Sequence, residues 1–310
     1  MLGEKIKLYR ENKKMTQAEI AEILGVKPAT VSKYEAETLE PNIETLKKLS
    51  KIFEVSIDEL LNENEFDISK INILDVLREQ KNMKIKGNLY HHTQITFAYN
   101  TNHIEGSKLT EEQTRHIYET NTLITEKESI TDLDDILETA NHFKLVDYML
   151  EVADEKLTEK MIKDFHKILK EGTSDSRKNW FNVGEYKKLP NEVSGKETAK
   201  PEDVANKIKT ILKDYNQKDE HTLEEIIDFH YRFETIHPFQ DGNGRVGRLI
   251  MFKECLKNNI VPFIIDEDLK MFYYRGLSEW NNEKGYLTDT CLAAQDKFKK
   301  YLEYFKIPYK

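Results

Sequence analysis

The chain has 310 residues, which is enough for about two domains of ordinary size, each with its own hydrophobic core. Hydrophobic residues make up 38% of it, charged residues 33%, and the formal net charge is −9. This balance is typical of a globular protein and excludes an intrinsically disordered chain, an integral membrane protein and a protein held on nucleic acid by overall basic charge.

The cysteines and the N-terminal segment predict a cytoplasmic protein that makes no contact with a membrane. Cys255 and Cys291 are too few for a disulfide framework and lack metal-site spacing, so we interpret both as reduced core thiols. The first fifteen residues lack the continuous apolar run of a secretory signal. The longest apolar stretch, Ile260–Ile265, is far shorter than the roughly 20 residues that span a bilayer.

Residues 1–62 have the pattern of a five-helix bundle. Thr16 precedes a second helix and has Glu19 three residues later, which is the pattern of a capping box. Gly25 is expected in a left-handed turn before a third helix that begins at Pro28, and a fourth helix follows Asn42. The last two helices are predicted to bury Ile43, Leu46, Leu49, Ile52, Ile57, Leu60 and Leu61.

This segment resembles the helix-turn-helix of the Xre/Cro repressor family over roughly residues 3–61, on Gln17, Ala21, the pair Gly25-Val26 and the stretch Pro28–Glu35. The resemblance implies a DNA-binding domain whose recognition helix enters the major groove, with a homodimer bound over two half-sites of an operator. The candidate DNA contacts are Gln17, Lys27, Thr30, Ser32 and Lys33. Because the module has slightly more acidic than basic residues, a bundle for protein contacts or dimerisation is the alternative.

A polar segment at residues 63–74 is interpreted as a linker, and residues 75–310 then show mostly helical periodicity. The exception lies within residues 184–201, where Gly, Pro, Asn and Ser surround two β-compatible pieces, Glu185–Lys187 and Glu192–Val193. The pattern predicts an all-α protein with one small β-hairpin.

The most informative segment is His237–Arg248, with the sequence HPFQDGNGRVGR. It lies between two apolar helical patterns, which places it on a loop that enters a helix N-terminus. Gly242 and Gly244 flank Asn243 and permit a backbone that aims successive N–H groups at one anion. The positive end of the helix strengthens this site, which suits a phosphate group.

Four side chains of the same segment suit phosphate chemistry. Arg245 and Arg248 lie three residues apart, so both can donate to phosphate oxygens from one side of a helix. Asp241 offers a hard oxygen ligand to a Mg²⁺ ion that bridges to a polyphosphate. The imidazole of a histidine ordinarily titrates near neutrality, so a histidine at position 237 can accept the proton of an attacking hydroxyl. Each residue alone also fits an ordinary turn or core, whereas together they predict a nucleotide site with a general base.

The segment resembles the Fic (filamentation induced by cAMP) signature HPFx(D/E)GNGRxxR at every specified position, and the likeness covers roughly residues 75–300. Most members of that helical family transfer AMP from ATP to a Ser, Thr or Tyr hydroxyl of a protein. The resemblance implies that His237 is the base, that Asp241 holds Mg²⁺ and that Arg248 binds the γ-phosphate. It implies further that the loop Gly242–Gly244 holds the α- and β-phosphates. Because Arg248 is present and no Lys replaces Gly244, the kinase-like Doc branch is disfavoured and pyrophosphate is the expected leaving group.

Two further elements follow from this resemblance. Tyr273, Tyr274 and Asn281 lie where relatives frame the adenine, because aromatic faces stack on bases and an amide reads a base edge. The alternative is that both tyrosines are half-buried helix residues. The hairpin corresponds to a flap that pins the target segment by strand addition, and its candidate residues are Leu189, Asn191 and Val193.

Residues Thr101–Gly106 fit the family's inhibitory pattern (S/T)xxxE(G/N). The resemblance implies an inhibitory helix around residues 95–106, in which Glu105 binds Arg248 and removes the partner of the γ-phosphate. Low basal activity is therefore expected, and in some relatives the same glutamate supports removal of AMP. His230 and His166 are interpreted as supporting residues because no third metal ligand is evident.

These patterns predict an Xre/Cro-like domain at 1–62, a linker at 63–74 and a Fic domain at 75–310 with its motif at 237–248. The predicted function is an autoinhibited protein adenylyltransferase that uses Mg-ATP to modify a target protein or itself and is coupled to DNA binding. The alternative is a transcription regulator whose Fic domain senses nucleotide, modifies itself or removes AMP.

Overall fold

The computed structural model describes residues 2–13, 15–61, 72–125, 130–193 and 195–309. It divides into two compact units, Met1–Lys70 and Ile71–Lys310. The helices described in the first unit are α1 (Leu2–Asn12), α2 (Gln17–Leu24), α3 (Pro28–Glu35), α4 (Ile43–Phe53) and α5 (Ile57–Leu61). This is the predicted five-helix bundle, and the predicted all-α class is confirmed.

Local signals determine where the helices of the first unit begin and end. The Thr16 side chain accepts the N–H of Glu19 and the Glu19 carboxylate accepts the N–H of Thr16, so the predicted capping box forms. Gly25 ends α2 with a φ of 74°, in the left-handed region that glycine adopts without strain. The capping box at Thr16 and the turn at Gly25 fix the two ends of α2 and therefore the turn that leads into α3.

The prediction that α4 and α5 bury all of their apolar residues is wrong at the start of α4 and at the end of α5. Ile43 is 71% exposed because it is the first residue after the cap Asn42, and Leu61, the last residue of α5, is also exposed. Leu46, Leu49 and Leu60 are buried as predicted, whereas Ile52 and Ile57 are half-buried. Phe53, which was not predicted, is also buried, so that Leu46, Leu49 and Phe53 repeat at intervals of three and four residues.

The second unit begins inside the segment predicted as a linker. Asn72 caps α6, and Ile73 and Leu74 belong to the core, whereas residues 62–71 lie outside the described residues. Its helices are α6 (Ile73–Met83), α7 (Leu89–Ile104), α8 (Glu111–Thr120), α9 (Leu133–Glu151), α10 (Glu159–Lys170), α11 (Pro201–Tyr215), α12 (Leu223–Ile236), α13 (Asn243–Lys257), α14 (Glu267–Glu279) and α15 (Gly285–Tyr304). A 3-10 turn, Ser174–Arg177, follows α10.

Helix α13 lies at the centre of the second unit. Nearly all of its residues are buried, as expected of a helix that is covered on every side. Helices α7, α9, α10 and α12 pack against it. The motif therefore opens a central helix, and its side chains project into the middle of the unit. Among the described residues, no helix is long and apolar enough to cross a lipid bilayer.

The predicted hairpin is present, but with a different first strand. Strands β1 (Glu192–Val193) and β2 (Lys196–Glu197) pair antiparallel, with Glu192 opposite Glu197. The piece Glu185–Lys187 is not a strand, because the backbone N–H of Lys187 donates instead to the carbonyl of Pro238 in the motif loop. This bond fixes the entry to the hairpin beside the motif.

Replacing Thr16 with Ala removes the side-chain acceptor of the capping box. We expect Thr16→Ala to lower the free energy of unfolding of the first unit by about 1 kcal/mol, because the backbone N–H of Glu19 loses its acceptor, the Thr16 hydroxyl. Amide hydrogen exchange across residues 2–61 of the full chain measures the loss. Thr16→Ser keeps the oxygen and should retain protection, and equal protection in the Ala variant would contradict the prediction.

Candidate active site

The motif loop is residues 237–242, which connect α12 to α13. It begins and ends in left-handed conformations, since His237 has a φ of 51° and Gly242 a φ of 80°. The Asn243 amide closes the loop: its Oδ1 accepts the N–H of Phe239 at 2.7 Å and its Nδ2 donates to the Phe239 carbonyl at 2.9 Å. The buried side chain of Asn243, predicted to bind nucleotide, therefore braces the loop from inside.

His166 on α10 contacts the same loop through its ring and through one ring nitrogen. Its ring stacks on Phe239 with a centroid distance of 3.9 Å, and its Nδ1 accepts the N–H of Gly184 at 2.9 Å. Nε2 must then carry the proton, and it donates to the Asp241 carbonyl at 3.1 Å. Burial lowers the pKa of His166 to about 3, so the ring stays neutral. His166 is therefore a supporting residue, as interpreted from the sequence.

Arg248 is enclosed by the C-terminal end of α7. Its Nη2 lies 2.6 Å from Glu105 Oε1 and donates to the Thr101 carbonyl at 3.0 Å, while its Nε donates to Thr101 Oγ1 at 2.9 Å. Burial alone would lower the pKa of Arg248, but the charge of Glu105 raises it. Gly106 follows with a φ of 103°, which ends the helix directly after Glu105. Thr101 and Glu105 of the inhibitory pattern thus contact Arg248, and Gly106 ends the helix that carries them.

Gly244 makes this approach possible. A Cβ at this position would collide with the carboxylate of Glu105 and press on the guanidinium of Arg248. Gly244 is in the first turn of α13, so the absence of a side chain leaves the helix N-terminus open to an anion. The same glycine therefore both leaves the helix N-terminus open and permits the contact with α7.

Arg245, predicted to bind phosphate together with Arg248, is held by two carboxylates instead. It is buried and forms an ion pair with Glu138 of α9, and its Nη2 lies 2.9 Å from Asp241 Oδ2. Lys170 Nζ binds the same Asp241 oxygen at 2.8 Å. Burial would raise the pKa of Asp241, but the charges of Arg245 and Lys170 hold it well below its usual range. Asp241 is therefore ionised and held from two sides.

The residues around Asp241 fit a Mg²⁺ ion that arrives with a nucleotide. The Asp241 side chain is 49% exposed, and both cations bind its Oδ2. An exposed carboxylate beside a helix N-terminus supplies one oxygen, and phosphate oxygens and water would supply the others, as Mg²⁺ prefers. Glu138 and Asp175 have oxygens within 4.8 Å of the Asp241 carboxylate, but Lys170 binds all three.

His237 faces a glutamate, 12% exposed on its side chain, that the sequence analysis did not identify. Its Nδ1 lies 3.7 Å from Glu234 Oε2, and neither Nδ1 nor Glu234 Oε1 has a hydrogen-bond partner among the described residues. Burial would raise the pKa of Glu234, but the imidazoles of His237 and His230 lower it. Glu234 is therefore ionised beside His237. Its spacing, three residues before His237 on α12, is the signal that could have found it.

Two family models match the chain: "Fic/DOC family" over residues 156–255 and "Helix-turn-helix" over residues 6–60. The chain contains a Fic domain and a helix-turn-helix domain.

The curated relatives divide between the two domains. The chain is 29% identical to Protein adenylyltransferase Fic of Nematostella vectensis over 187 residues, which cover 59% of this chain and 42% of that protein. It is 32% identical to the probable protein adenylyltransferase aq_aa38 of Aquifex aeolicus over 149 residues, 44% of each chain. It is 38% identical to the HTH-type transcriptional regulator ImmR of Bacillus subtilis over 85 residues, 27% of this chain and 65% of the regulator. The chain thus spans less than half of either adenylyltransferase.

A solved structure supports the fold of the Fic domain. A Fic domain containing signaling protein of Bacteroides thetaiotaomicron is 25% identical, with a TM-score of 0.56. The match covers 76% of this chain and 91% of that one.

The predicted adenine frame of the Fic domain is only partly exposed. Tyr273 is buried, and its hydroxyl lies 2.8 Å from His230 Nε2, so it packs in the core beside Arg248. Tyr274 is exposed. Asn281 is also exposed, and its Nδ2 donates to the Tyr231 hydroxyl at 2.7 Å. Only Tyr274 and Asn281 therefore remain candidates for contact with a base.

The flap divides into exposed and anchoring residues. Leu189 and Val193 are exposed, as a surface for a target segment requires. Asn191 instead donates from Nδ2 to the Phe239 carbonyl at 3.0 Å, and its Oδ1 accepts from Lys187 Nζ at 2.6 Å. The side chain of Asn191 therefore anchors the flap to the motif loop and is not available for a target.

The helix-turn-helix domain exposes most of its predicted DNA contacts. Lys27, Ser32 and Lys33 are exposed at the start or along the face of α3, and Thr30 is half-buried. The amide of Gln17 donates to Glu35 Oε2 at 2.8 Å. Gln17 is thus held within the bundle, at the start of α2.

Three buried histidines have pKa values that should make the stability of the Fic domain depend on pH. Burial lowers the pKa of His142 and of His166 to about 3 and that of His230 to about 4, from an ordinary value of 6.5. As the pH falls below about 6.5, the unfolded chain takes up protons that the folded chain does not, so stability decreases.

We therefore expect urea unfolding to show a lower free energy at about pH 5 than at about pH 7.5. His142 has no hydrogen-bond partner for either ring nitrogen among the described residues, so His142→Phe should fold and lose less stability over this interval. An unchanged pH dependence in that variant would contradict the assignment of His142 as neutral.

Proposed function

We propose that this protein is an autoinhibited protein adenylyltransferase, which transfers AMP from Mg-ATP to a hydroxyl of a target protein or of itself. The observation that carries the proposal is the ion pair between Arg248 and Glu105 beside the motif loop. In this proposal Arg248 is the anion-binding arginine, Glu105 is its competitor and His237 is the base. The adenylyltransferase names of the relatives that match the Fic domain support the same activity.

The phosphates of ATP bind at the start of α13. The first turn of the helix has no side-chain cap, because Gly242 precedes it and the Asn243 amide turns back to Phe239. Its free N–H groups and the positive helix end favour the α- and β-phosphates. Mg²⁺ held by Asp241 neutralises phosphate charge when it is bound. Arg248 receives the γ-phosphate once Glu105 has left it.

The transfer step requires a base and an in-line leaving group. His237 removes the proton of the target hydroxyl, whose oxygen forms a bond to the α-phosphorus as the bond to the β-phosphate oxygen breaks. Pyrophosphate leaves with the bonding electrons, and AMP remains on the target. Glu234, 3.7 Å from His237 Nδ1, stabilises the imidazolium that forms. The exposed Leu189 and Val193 of the flap hold the target segment as an added strand.

A second candidate function is transcription regulation through the helix-turn-helix domain. The exposed Lys27, Ser32 and Lys33 around α3 support DNA binding by a homodimer over two half-sites. The match to a transcriptional regulator over this domain favours the same role. In this alternative the Fic domain senses nucleotide, modifies itself or removes AMP.

Glu105→Gly should increase AMP transfer by about tenfold or more, because Arg248 loses the carboxylate that competes with phosphate. A tenfold rise corresponds to a barrier lower by about 1.4 kcal/mol. Intact mass after incubation with ATP and Mg²⁺, together with labelled ATP in cell lysate, measures transfer to the chain or to a target.

The control Glu112→Gly removes an exposed glutamate of α8 and should stay at the basal level. The double variant Glu105→Gly/His237→Ala should lose the gain. Transfer that does not rise in Glu105→Gly would contradict autoinhibition, and transfer that survives without His237 would contradict its role as base.

Lys33→Ala should weaken DNA binding about equally for all sequences and reduce the slope of log affinity against log salt by about one, because a phosphate contact is lost. Fluorescence anisotropy with a duplex selected from a random library measures both quantities. Lys7→Ala removes an exposed lysine of α1 and serves as the charge-matched control. Equal effects of the two variants would contradict a DNA surface on α3.

A further inference from the structure

Lys170 lies at the centre of the acidic cluster, defined here as Glu138, Asp175 and Asp241. Its Nζ lies 2.5 Å from Glu138 Oε1, 2.7 Å from Asp175 Oδ2 and 2.8 Å from Asp241 Oδ2. The three carboxylates come from α9, the 3-10 turn and the motif loop, and their oxygens lie within 4.8 Å of one another. Carboxylate oxygens surround bound Ca²⁺ at about 2.3–2.6 Å. The ammonium group therefore stands where a divalent cation with three carboxylate ligands would stand.

We propose that Lys170 is a built-in cation that keeps divalent metals out of the acidic cluster, so that Asp241 takes Mg²⁺ only together with nucleotide phosphates. Lys170 is thus a positioning residue for Asp241. The exclusion of metal follows from the cluster alone, whereas the entry of Mg²⁺ with a nucleotide rests on the proposed function.

The charges of the cluster favour this inference. Three carboxylates are balanced by Lys170, by Arg245 and by Lys178, whose Nζ lies 2.6 Å from Asp175 Oδ1. A divalent ion added to this neutral group would leave excess positive charge in a largely buried place, which is costly. Lys170 is 2% exposed, so its ammonium has no solvated position nearby to which it can withdraw. The exposed side of the Asp241 carboxylate remains accessible to a Mg²⁺ ion that is already bound to nucleotide phosphates.

The test is Mn²⁺ binding to the full chain without nucleotide. The protein is first freed of metals with a chelator, and the free Mn²⁺ that remains after each addition is then measured by electron paramagnetic resonance. The wild type should show no site tighter than about 1 mM. Lys170→Ser should bind one Mn²⁺ at least about tenfold more tightly, because the cluster then has a net negative charge and a vacated position. Lys170→Ser/Asp241→Asn should lose that site.

Lys178→Ser is the matched control, because Lys178 also binds Asp175 but lies at the edge of the cluster with 43% of its side chain exposed. It should bind Mn²⁺ no better than the wild type. Wild-type binding of Mn²⁺ that is lost in Glu138→Gln would overturn the proposal, and so would Lys170→Ser binding that is no tighter than wild type.

If Lys170→Ser is unstable without metal, its thermal unfolding can be measured with and without Mn²⁺ instead of direct binding. Mn²⁺ should then raise the Tm of Lys170→Ser and leave that of the wild type unchanged, since a ligand stabilises the state that binds it. A Tm that does not move in the variant would overturn the exclusion of metal. Mn²⁺ binding by the wild type with a non-hydrolysable ATP analogue tests the nucleotide-dependent half separately, so failure there concerns the proposed function.

Discussion

The second unit depends on the neutralisation of two arginines that project from a buried helix. Arg245 and Arg248 lie in the first turns of α13, where an unpaired guanidinium would cost several kcal/mol. Their partners come from three other places: Glu138 on α9, Asp241 in the motif loop and Glu105 at the end of α7. These ion pairs hold α7, α9 and the loop against α13, and they fix the positions of Glu105, Glu138 and Asp241.

Neutral hydrogen bonds determine the shape of the motif loop within this charged frame. Asn243 and His166 bind loop backbone on opposite sides, and Asn191 ties the flap to the Phe239 carbonyl. None of these three side chains is left to contact a ligand, yet together they hold the N–H groups of the first turn of α13 in a fixed direction. Preorganised donors of this kind stabilise charge without reorganisation, which is the main requirement of a phosphate-transfer site.

Features that depend on neighbouring residues could be predicted from the sequence, and features that depend on distant partners could not. The capping box at Thr16, the turn at Gly25 and the position of the motif at a helix N-terminus follow from local spacing. Arg245 was assigned to phosphate because spacing places it one turn from Arg248, but its partner Glu138 lies 107 residues away.

For Tyr273 the sequence left a base contact and a packed helix position open, and the structure supports the packed position. Its hydroxyl contacts His230, 43 residues away, and its ring lies in one apolar cluster with Leu269, Leu277 and Trp280, whose spacing of three and four residues is a local signal of burial. Glu234 was within reach of sequence reasoning, since a glutamate one turn before a histidine on a helix can face it. The resemblance to a family supplied the proximity of Glu105 and Arg248, which composition and periodicity could not.

The partners of Arg248 determine how the proposed inhibition can be released. Glu105 is 30% exposed on its side chain and can be solvated when it leaves, whereas Arg248 is 3% exposed and cannot. Removing Glu105 without a substitute would leave a buried cation unpaired, so the exchange is favourable only when another anion reaches the guanidinium. Thr101 keeps its two neutral contacts in either case. In the proposed enzyme, a γ-phosphate at α13 would therefore both require and stabilise the released state, and the balance between carboxylate and phosphate would set the basal activity.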